Sequence, residues 1–330
     1  MLYKDIYFEP AYGKLCEAIE EGTAEVFRLE TDDGIISNMF MKKHLPEDLD
    51  PEQKYFDITT PYGYGGPIIL EIKGNKERLL REYKDQFAKY CKDNKIIAEF
   101  IRFHPILRND LDFNNVVNTF FARKTVATVV KDSDDPFQEE FSRSARKSIR
   151  RVLRRDFDYE IIRRPENLKN FIKIYEDTMN RNDANDFYYF STEYFENLLK
   201  YFKDQVLTIN VIVEDACIAS GLYFVYGKYL HAHLSGTSSE YLEYSPAYLL
   251  KYLTCEWSNE NGIDYIHYGG GTTNNPEDSL LKFKSKFTKK GLLDFHIGKK
   301  IHNEKVYFEM VEKSCNNNIN YFPQYRSQPI

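Results

Sequence analysis

Three strand-like segments follow one another between residues 205 and 238, and they constrain the fold more than any other part of the chain. These segments, "QVLTINVIVED", "ACIASGLYFVYG" and "KYLHAHLSGTS", are separated by short turns, as antiparallel strands are. A helical segment, "PAYLLKYLTCEWSNENG", and a further strand, "IDYIHYGGG", come next. An antiparallel meander followed by a helical crossover and one more strand predicts a mixed α/β sheet flanked by helices.

A weaker form of the same alternation precedes this region, which makes an internal duplication plausible. The segment "RLLREYKDQFAKYCKDN" has helical periodicity, and "KIIAEFIRFHP" is typical of a strand that ends at Pro105. The chain has 330 residues, more than one hydrophobic core usually serves. We therefore predict two α/β domains, residues 1–140 and 141–300, with a tail, residues 301–330, that packs back on the first domain.

Composition indicates an ordered globular protein, with 42% hydrophobic and 15% aromatic residues. No apolar run approaches the ~20 residues of a membrane span, and the start "MLYKDIYFEP" lacks the order of a signal peptide, so a cytoplasmic protein is expected. The net charge of −6 argues against a dedicated nucleic-acid coat. The five cysteines form no CxxC pair, so neither disulfides nor structural zinc are expected: Cys16, Cys91, Cys217, Cys255 and Cys315.

The segment "FQEEFSRSARKSIRRVLRRDFD" concentrates basic residues on one side of a predicted helix. At about 100° per residue, its apolar side chains fall on the opposite face: Phe137, Phe141, Ala145, Ile149 and Val152. Two interpretations remain open for the basic face. It is either a solvated surface, or Arg150 and Arg154 hold the phosphates of a donor molecule.

The segment "TTPYGYGGPIIL" predicts a tight, shaped loop, because glycine permits positive φ and proline excludes a central strand. One interpretation is a hairpin turn with surface tyrosines. The other is a ligand-facing loop in which an extended acceptor lies against Gly65 and Gly66 and packs on Tyr62 and Tyr64.

Arg102 and His104 in "EFIRFHPILRN" are two residues apart, so in a strand their side chains share one face. A histidine can accept a proton from an amine, and an arginine can hold a carboxylate or a phosphate. A structural histidine with satisfied hydrogen bonds is the alternative for His104.

Two further places could hold a donor. Ser245 and Pro246 form an N-cap and N1 pair, and the start of a helix binds anions. Gly269 and Gly270, at the end of a strand, let a ligand approach the backbone, and free N–H groups there could hold an oxyanion. An ordinary helix start and a loose exit from the sheet are the alternatives.

The order of these segments resembles the Fem-like peptidoglycan-bridge aminoacyltransferases and GNAT-type acetyltransferases. The resemblance spans most of residues 55–300 and is carried by "YGYGGP", "RFHPILRN", "SARKSIRR", "HAHLSGTSSEYLEYSPAYLLKYLTCEWSNENGIDYIHYGGG" and "DSLLKFKSKF". It implies two GNAT-like acyltransferase domains, each a mixed, mostly antiparallel sheet flanked by helices. It also implies acyl transfer to an amine, for example on a cell-envelope precursor, with no metal.

The resemblance adds Lys284 as a candidate catalytic residue and favours such a role for His104. Lys284 occupies a position similar to a functional lysine of Fem-like enzymes, where a fixed positive charge steadies an oxyanion or a carrier phosphate. Alternatively, Lys282, Lys284 and Lys286 alternate on a solvated face of a strand or loop.

The donor and the function class stay open at this level. The chain lacks the Q/R-x-x-G-x-G/A signature of ordinary GNAT proteins and the long heptad hairpin of some Fem-like members. The donor is therefore either acyl-CoA or aminoacyl-tRNA, which would make tRNA a partner, and the oligomeric state is not predicted. A competing class is a non-catalytic module that binds a peptide or glycan on a degenerate acyltransferase fold, because fold does not imply function.

Overall fold

The computed structural model describes residues 4–183, 188–314 and 318–327. Cys315, one of the five cysteines considered above, lies outside these ranges, and the four described cysteines are free thiols. None of the helices in the described ranges combines the length and the apolar character needed to cross a bilayer.

Helices and strands alternate along the described chain. The helices are α1 (Pro10–Cys16), α2 (Lys76–Asp93), α3 (Asp110–Phe113), α4 (Pro136–Glu140), α5 (Arg143–Val152), α6 (Lys169–Arg181), α7 (Thr192–Phe202), α8 (Pro246–Glu260), α9 (Ser279–Ser285) and α10 (Glu304–Ser314). The strands are β1 (Thr23–Thr31), β2 (Gly34–His44), β3 (Phe56–Thr59), β4 (Ile68–Ile72), β5 (Ile96–Arg102), β6 (Asn118–Val129), β7 (Asp158–Arg163), β8 (Val206–Val213), β9 (Ala216–Tyr226), β10 (Tyr229–Thr237), β11 (Tyr265–Gly270) and β12 (Leu292–Ile301).

The chain separates into two compact units. Unit 1 comprises residues 1–122 and 295–330, and unit 2 comprises residues 123–294. A domain is a part of the chain that can fold independently, which a division into compact units does not test. The predicted domain boundaries at 140/141 and 300/301 therefore stay predictions.

Unit 1 contains a mostly antiparallel arrangement of strands in the order β1-β2-β3-β5-β12, with β4 also paired to β2. Strands β3 and β5 run parallel, and helix α2 lies between them in sequence. The helix buries one face through Leu79, Tyr83, Phe87 and Cys91, which recur every four residues. The apolar side of α10 joins a separate cluster with Leu45 and Ile97.

Unit 2 repeats this arrangement in the order β6-β11-β10-β9-β8-β7. The meander β8-β9-β10 is antiparallel, whereas β10 and β11 run parallel, which requires a crossover, and α8 supplies it. The meander, the crossover helix and the final strand predicted from the sequence are therefore all present. The mixed α/β fold class with mostly antiparallel sheets is confirmed.

The basic segment forms two helices where the sequence predicted one. Helix α4 ends at Glu140, and α5 begins after Ser142, whose side-chain oxygen accepts a hydrogen bond from the Ala145 N–H at 3.2 Å. This N-cap starts a new helix because it satisfies one of the first free N–H groups. The predicted apolar face is confirmed, since Phe137, Phe141, Ala145, Ile149 and Val152 are all buried in one core cluster.

The lysine-rich segment "LLKFKSKF" also differs from the strand or loop considered for it. It forms most of helix α9 and the residues just after it. Asp278 caps this helix by accepting the Leu281 N–H at 2.9 Å. A lysine at every second position suggested the two-residue period of a strand. The capping hydrogen bond starts a helix instead.

Candidate functional site

Strand β11 of unit 2 ends in a polar, cationic site. Gly269 has a φ of +72° at a β-bulge opposite Val126, so the strand departs from regular pairing here. The carbonyl oxygen of Gly270 accepts a hydrogen bond from Lys284 Nζ at 2.6 Å. The carbonyl oxygen of Gly271 accepts one from Arg123 Nη1 at 3.4 Å. We call this the strand-end site, defined by Arg123, Lys251, Gly270, Gly271, Asp278 and Lys284.

Asp278 organises the loop that follows β11. One of its carboxylate oxygens accepts hydrogen bonds from the N–H and hydroxyl groups of both Thr272 and Thr273, at 2.6 to 3.1 Å. These bonds, together with the one from the Leu281 N–H, hold the pKa of the carboxyl group well below its usual range. A Cβ atom on Gly271 would lie 2.6 Å from Asp278 Cγ, so this close approach requires glycine. The carboxylate therefore stays ionised and fixes the loop next to Lys284.

The two lysines of the strand-end site have lowered pKa values. Burial and the positive charge of Arg123 lower the pKa of Lys284 to about 8, and Asp278 partly offsets this. Lys251, on α8, lies with its Nζ atom 4.0 Å from the centroid of the Tyr268 ring. Burial and the charge of Lys284 lower the pKa of Lys251 to about 7. A partly desolvated cation interacts strongly with a negative charge, so the site is suited to an oxyanion or a phosphate.

The start of α8 lies where the sequence placed it, but Ser245 does not act as predicted. Pro246 is the first residue of the helix, as expected. Ser245 adopts a left-handed conformation with a φ of +45°, and its side chain makes no capping hydrogen bond. Ser245 and Pro246 therefore occupy the predicted N-cap and N1 positions, but Ser245 lacks the extended backbone from which an N-cap side chain makes its hydrogen bond. An anion at this helix start stays a prediction.

His104 of unit 1 is fully buried and forms a turn. Strand β5 ends at Arg102, two residues before it. The Nδ1 atom of His104 accepts hydrogen bonds from the N–H groups of Ile106 and Leu107 at 3.3 and 3.1 Å. Its Nε2 atom lies 3.5 Å from a carboxylate oxygen of the buried Asp5. These contacts favour the structural interpretation over a base that reaches a substrate, and the catalytic role stays a prediction.

Arg102 lines a cavity of unit 1. Its Nε atom donates a hydrogen bond to Thr60 Oγ1 at 3.1 Å, and one Nη atom donates to the Thr60 carbonyl oxygen. The guanidinium group is therefore held in one orientation while it remains partly exposed, as a group that recognises an anion must be.

The glycine-rich loop joins β3 to β4 and is not a hairpin turn, because both strands pair with β2. Tyr64 packs edge-on against Tyr7 and His104, with ring centroids 5.4 and 5.7 Å apart. The carbonyl oxygen of Tyr62 accepts a hydrogen bond from the Tyr12 hydroxyl group at 2.8 Å. Both tyrosines are half-buried, so an acceptor could reach only part of each ring.

The two central glycines of this loop are buried against β5 and the turn after it. The N–H of Gly65 donates to the Arg102 carbonyl oxygen at 2.8 Å, and the carbonyl oxygen of Gly65 accepts from Asn109 Nδ2 at 2.9 Å. Gly66 has a φ of +83°, and a Cβ atom on it would lie 2.5 Å from Ile101 Cγ2. Glycine permits another segment to approach its backbone closely. At these two residues, the segments that do so belong to the protein's own chain.

We expect Gly66→Ala to lower the free energy of unfolding by about 2–4 kcal/mol, because it combines overpacking with an unfavourable backbone conformation. Gly65→Ala is the matched control, since its added Cβ would lie 3.4 Å from Thr60 Cγ2, an ordinary contact. For this control we expect a loss within about 1 kcal/mol. Urea denaturation of both variants measures the difference. Equal losses would show that the Ile101 contact does not constrain the loop.

Arg150 and Arg154 lie on the exposed side of the basic segment. Arg150 donates a hydrogen bond to Gln138 Oε1 at 2.6 Å, and its guanidinium carbon lies 5.9 Å from the centroid of the Phe137 ring. Arg154 is exposed. Both interpretations of this face, a solvated surface or a phosphate site, remain compatible with these positions.

The structure brings some predicted residues together and adds others. The Lys284 side chain donates a hydrogen bond to the Gly270 carbonyl oxygen, and the Gly65 N–H donates one to the Arg102 carbonyl oxygen. Sequence reasoning missed Arg123, Lys251 and Asp278. Two of them carry a local signal: Lys251 interrupts the apolar run "AYLLKYL", and Asp278 stands three residues before Leu281 as an N-cap does. Arg123 carries none, since only the pairing of β6 with β11 brings it to the site.

Comparison with known proteins agrees with this fold. Residues 140–284 match the model of the acetyltransferase (GNAT) domain. No curated protein matches the chain. The crystal structure of FemX is similar, with a TM-score of 0.68 and 16% identity over 92% of this chain and 94% of that one.

Two further solved structures have the same kind of fold. The C-terminal domain of a putative lysylphosphatidylglycerol synthetase from Agrobacterium fabrum has a TM-score of 0.56 and 11% identity, over 89% of this chain and 91% of that one. A tandem GNAT protein from the clavulanic acid biosynthesis pathway has a TM-score of 0.51 and 6% identity, over 84% and 83%. At such identities these likenesses establish the fold alone.

The resemblance to Fem-like and GNAT-type acyltransferases that the sequence suggested is confirmed by these matches. The GNAT domain match covers the residues that form β8–β11, α8 and Lys284. Together they support an N-acyltransferase and leave its donor and acceptor to be proposed.

Proposed function

We propose that this protein is an N-acyltransferase that moves an acyl or aminoacyl group from an activated carrier to an amine acceptor. The observation that carries the proposal is the Lys284 ammonium group on the Gly270 carbonyl oxygen, beside Arg123 and Lys251, within the region that matches a GNAT domain. The carrier is acyl-CoA or aminoacyl-tRNA. The acceptor bears an amine and is a peptidoglycan precursor or another cell-envelope precursor.

In the proposed reaction, the amine nitrogen attacks the carbonyl carbon of the carrier, and the carbonyl oxygen becomes an oxyanion. The Lys284 ammonium group, charged below about pH 8, stabilises this oxyanion. The attacking amine must lose a proton, and Lys251 can accept it near neutrality because its pKa lies at about 7. The carrier's sulfur or oxygen then leaves with the electron pair of the broken bond. Lys284 thus acts on the transition state, where a positive charge contributes most.

The other candidate residues have separate places in this proposal. Ser245, Gly269, Gly270, Arg150 and Arg154 are assigned to the donor, whose phosphates meet the helix start and the basic face. The acceptor is assigned to Tyr62, Tyr64 and Arg102, and Gly65 and Gly66 are assigned to shaping the loop that carries the two tyrosines. His104 is assigned to holding the turn beside Tyr64, with a direct catalytic role as the alternative. A cytoplasmic location remains part of the proposal.

The decisive experiment measures donor binding and transfer together. The protein is mixed with acetyl-CoA, longer acyl-CoA thioesters or charged tRNA, and its melting temperature is recorded, since a ligand that binds the folded state raises it. Each donor is then combined with amine acceptors, including nucleotide-linked muropeptides, and the products are identified by mass spectrometry. Acylated acceptor that depends on Lys284 supports the proposal. Acceptor binding without any donor binding or product would favour the non-catalytic peptide- or glycan-binding module instead.

We expect the double variant Arg150→Glu and Arg154→Glu to weaken donor binding and to reduce its dependence on salt. Removing phosphate contacts lowers the slope of log affinity against log salt by about 1 per contact for a nucleic-acid donor. The matched control is Arg81→Glu with Lys84→Glu, which makes the same change of charge on exposed residues of α2. Fluorescence anisotropy at several salt concentrations measures both. Unchanged donor affinity at low salt would assign the basic face to solvent.

A further inference from the structure

Unit 1 contains a cavity that shares no residue with the strand-end site. Its volume is about 320 Å³, within the range of small-molecule sites. Residues of β3, β5 and β12 and the segment 320–326 line it. The side chains that matter for recognition are Glu20, Lys43, Phe100, Arg102, Lys299 and Phe322.

One charge pair of the cavity wall is already satisfied. Arg326 Nε donates to Asp57 Oδ2 at 2.5 Å, and the Tyr325 hydroxyl group donates to the same oxygen at 2.9 Å. Another Arg326 nitrogen donates to the His44 carbonyl oxygen. This pair therefore closes the wall and offers little to a ligand. Three other cations of the wall are Lys43, Arg102 and Lys299, and the carboxylate beside Lys43 and Arg102 that is not bound to Arg326 is that of Glu20.

Glu20 is the least satisfied group of the cavity. Its side chain is 8% exposed, and its Oε2 atom accepts a hydrogen bond from Lys43 at 3.4 Å. Its Oε1 atom is buried and has no hydrogen-bond partner among the described residues. An Arg102 Nη atom lies 3.9 Å from Oε1, too far for a hydrogen bond. A buried carboxylate oxygen without a donor is costly, so a ligand that brings an N–H group would gain from it.

Two cations of the cavity favour a negatively charged group on the ligand. Arg102 is oriented by Thr60 and keeps donors available, because a guanidinium group carries five N–H bonds. Lys299 Nζ lies 5.7 Å from the Phe322 ring and 5.8 Å from the Phe120 ring, and no carboxylate pairs with it among the described residues. Both cations suit a carboxylate.

Apolar surface lies beside these charges. The rings of Phe100 and Phe322, whose centroids are 6.4 Å apart, belong to the cavity wall. Aromatic walls of this kind favour an apolar or aromatic side chain, which would bury its surface against them.

We propose that this cavity binds a zwitterion of the amino-acid class, with its ammonium group at Glu20, its carboxylate at Arg102 and Lys299, and an apolar side chain against Phe100 and Phe322. A free amino acid and a short peptide share this chemistry. The proposal goes beyond acyl transfer: it shares Arg102 with the proposed acceptor residues but uses none of the strand-end site.

Isothermal titration calorimetry on the full chain tests the proposal with L-phenylalanine and glycyl-L-phenylalanine as the probes. Phenethylamine lacks the carboxylate, and 3-phenylpropionate lacks the ammonium group. We expect at least one zwitterion to bind about tenfold or more tightly than either half-molecule, since both charged contacts are then made. Tighter binding of L-phenylalanine identifies a free amino acid, and tighter binding of the dipeptide identifies a peptide.

Two variants test which residue of the cavity contacts which end of the ligand. Glu20→Gln is expected to weaken the zwitterion about tenfold and to leave 3-phenylpropionate within about threefold. Lys299→Met should weaken both. The controls are Glu21→Gln and Lys305→Met, which change exposed residues nearby in sequence. Melting temperatures show that each variant folds. If Glu20→Gln does not fold, Lys299→Met and the half-molecules still decide the result.

Three outcomes would overturn the proposal. No heat of binding from any probe would remove the site. Equal affinity for 3-phenylpropionate, inorganic phosphate and the zwitterions would reduce it to a general anion site. Unchanged zwitterion binding in folded Glu20→Gln or Lys299→Met would place the ligand elsewhere on the protein.

Discussion

Replacing Lys284 by methionine is expected to lower kcat for acyl transfer by about 10²–10³-fold, the usual effect of removing one donor to an oxyanion. Lys284 is held on the Gly270 carbonyl oxygen at 2.6 Å, and its partial burial makes its charge effective. Methionine keeps most of the length and the apolar stem of lysine, so we expect the fold to be unaffected. Lys282→Met is the matched control, because this lysine lies on the same helix, is exposed and pairs with Glu277.

The pH dependence separates the charge of Lys284 from its shape. The stabilising form is the ammonium, and its pKa is lowered to about 8, so its contribution is present below about pH 8 and is lost as the pH rises through that value. Lys284→Arg should keep partial activity without this loss, because arginine stays charged. Rates measured with a saturating amine from about pH 6 to pH 10 make the comparison. Wild-type activity in Lys284→Met, or the same loss at high pH in Lys284→Arg, would remove Lys284 from the mechanism.

The second large effect concerns stability at Lys251. Its pKa is lowered to about 7 in the folded protein, whereas an unfolded lysine titrates near 10.4. Between these values the unfolded chain binds more protons, so the free energy of unfolding rises with pH by up to about 1.4 kcal/mol per unit. From about pH 7.5 to pH 9.5 we expect Lys251 to add about 2–3 kcal/mol, and we expect Lys251→Met to lack this increase. The penalty of the buried charge is fully present below about pH 7 and disappears above about pH 10.4.

Urea denaturation at the two pH values measures this difference, and titrating groups that do not interact with Lys251 cancel when the variant is compared with the wild type. Lys251→Met should also be the more stable protein near neutral pH, because methionine buries no charge beside Tyr268. Lys200→Met, which changes an exposed lysine of α7, tests whether the effect depends on the buried position. Parallel pH curves for Lys251→Met and the wild type would show that Lys251 is charged and solvated in the folded protein.

Prediction from sequence succeeded where the pattern is local. Helix α2, the meander β8–β10 and the crossover helix α8 follow from the spacing of apolar residues within each segment. The buried face of the basic segment was correct for the same reason, although the segment is two helices. The amphipathic pattern runs without interruption through Ser142, so it did not reveal that this residue caps a second helix.

The candidate site could be predicted only in part. Lys284 and Gly270 were both selected, yet their hydrogen bond depends on a helix at α9 where a strand or loop was considered. Lys251 is distant from Lys284 in sequence, so the charge of Lys284 lowers the pKa of Lys251 only after folding. His104 was selected because a histidine can accept a proton from an amine. In the structure its Nδ1 atom instead accepts hydrogen bonds from two N–H groups of the turn that it begins.

The sequence by itself determined the types and the order of the elements in this protein, because hydrophobic periodicity and capping residues act over a few neighbouring positions. Only the tertiary structure decided which charges are buried, which strands are parallel and where a cavity opens. The pKa values of Lys251 and Lys284 and the unsatisfied oxygen of Glu20 depend on desolvation by segments far away in the chain. Desolvation is a property of the packed protein, and no local pattern of residues encodes it.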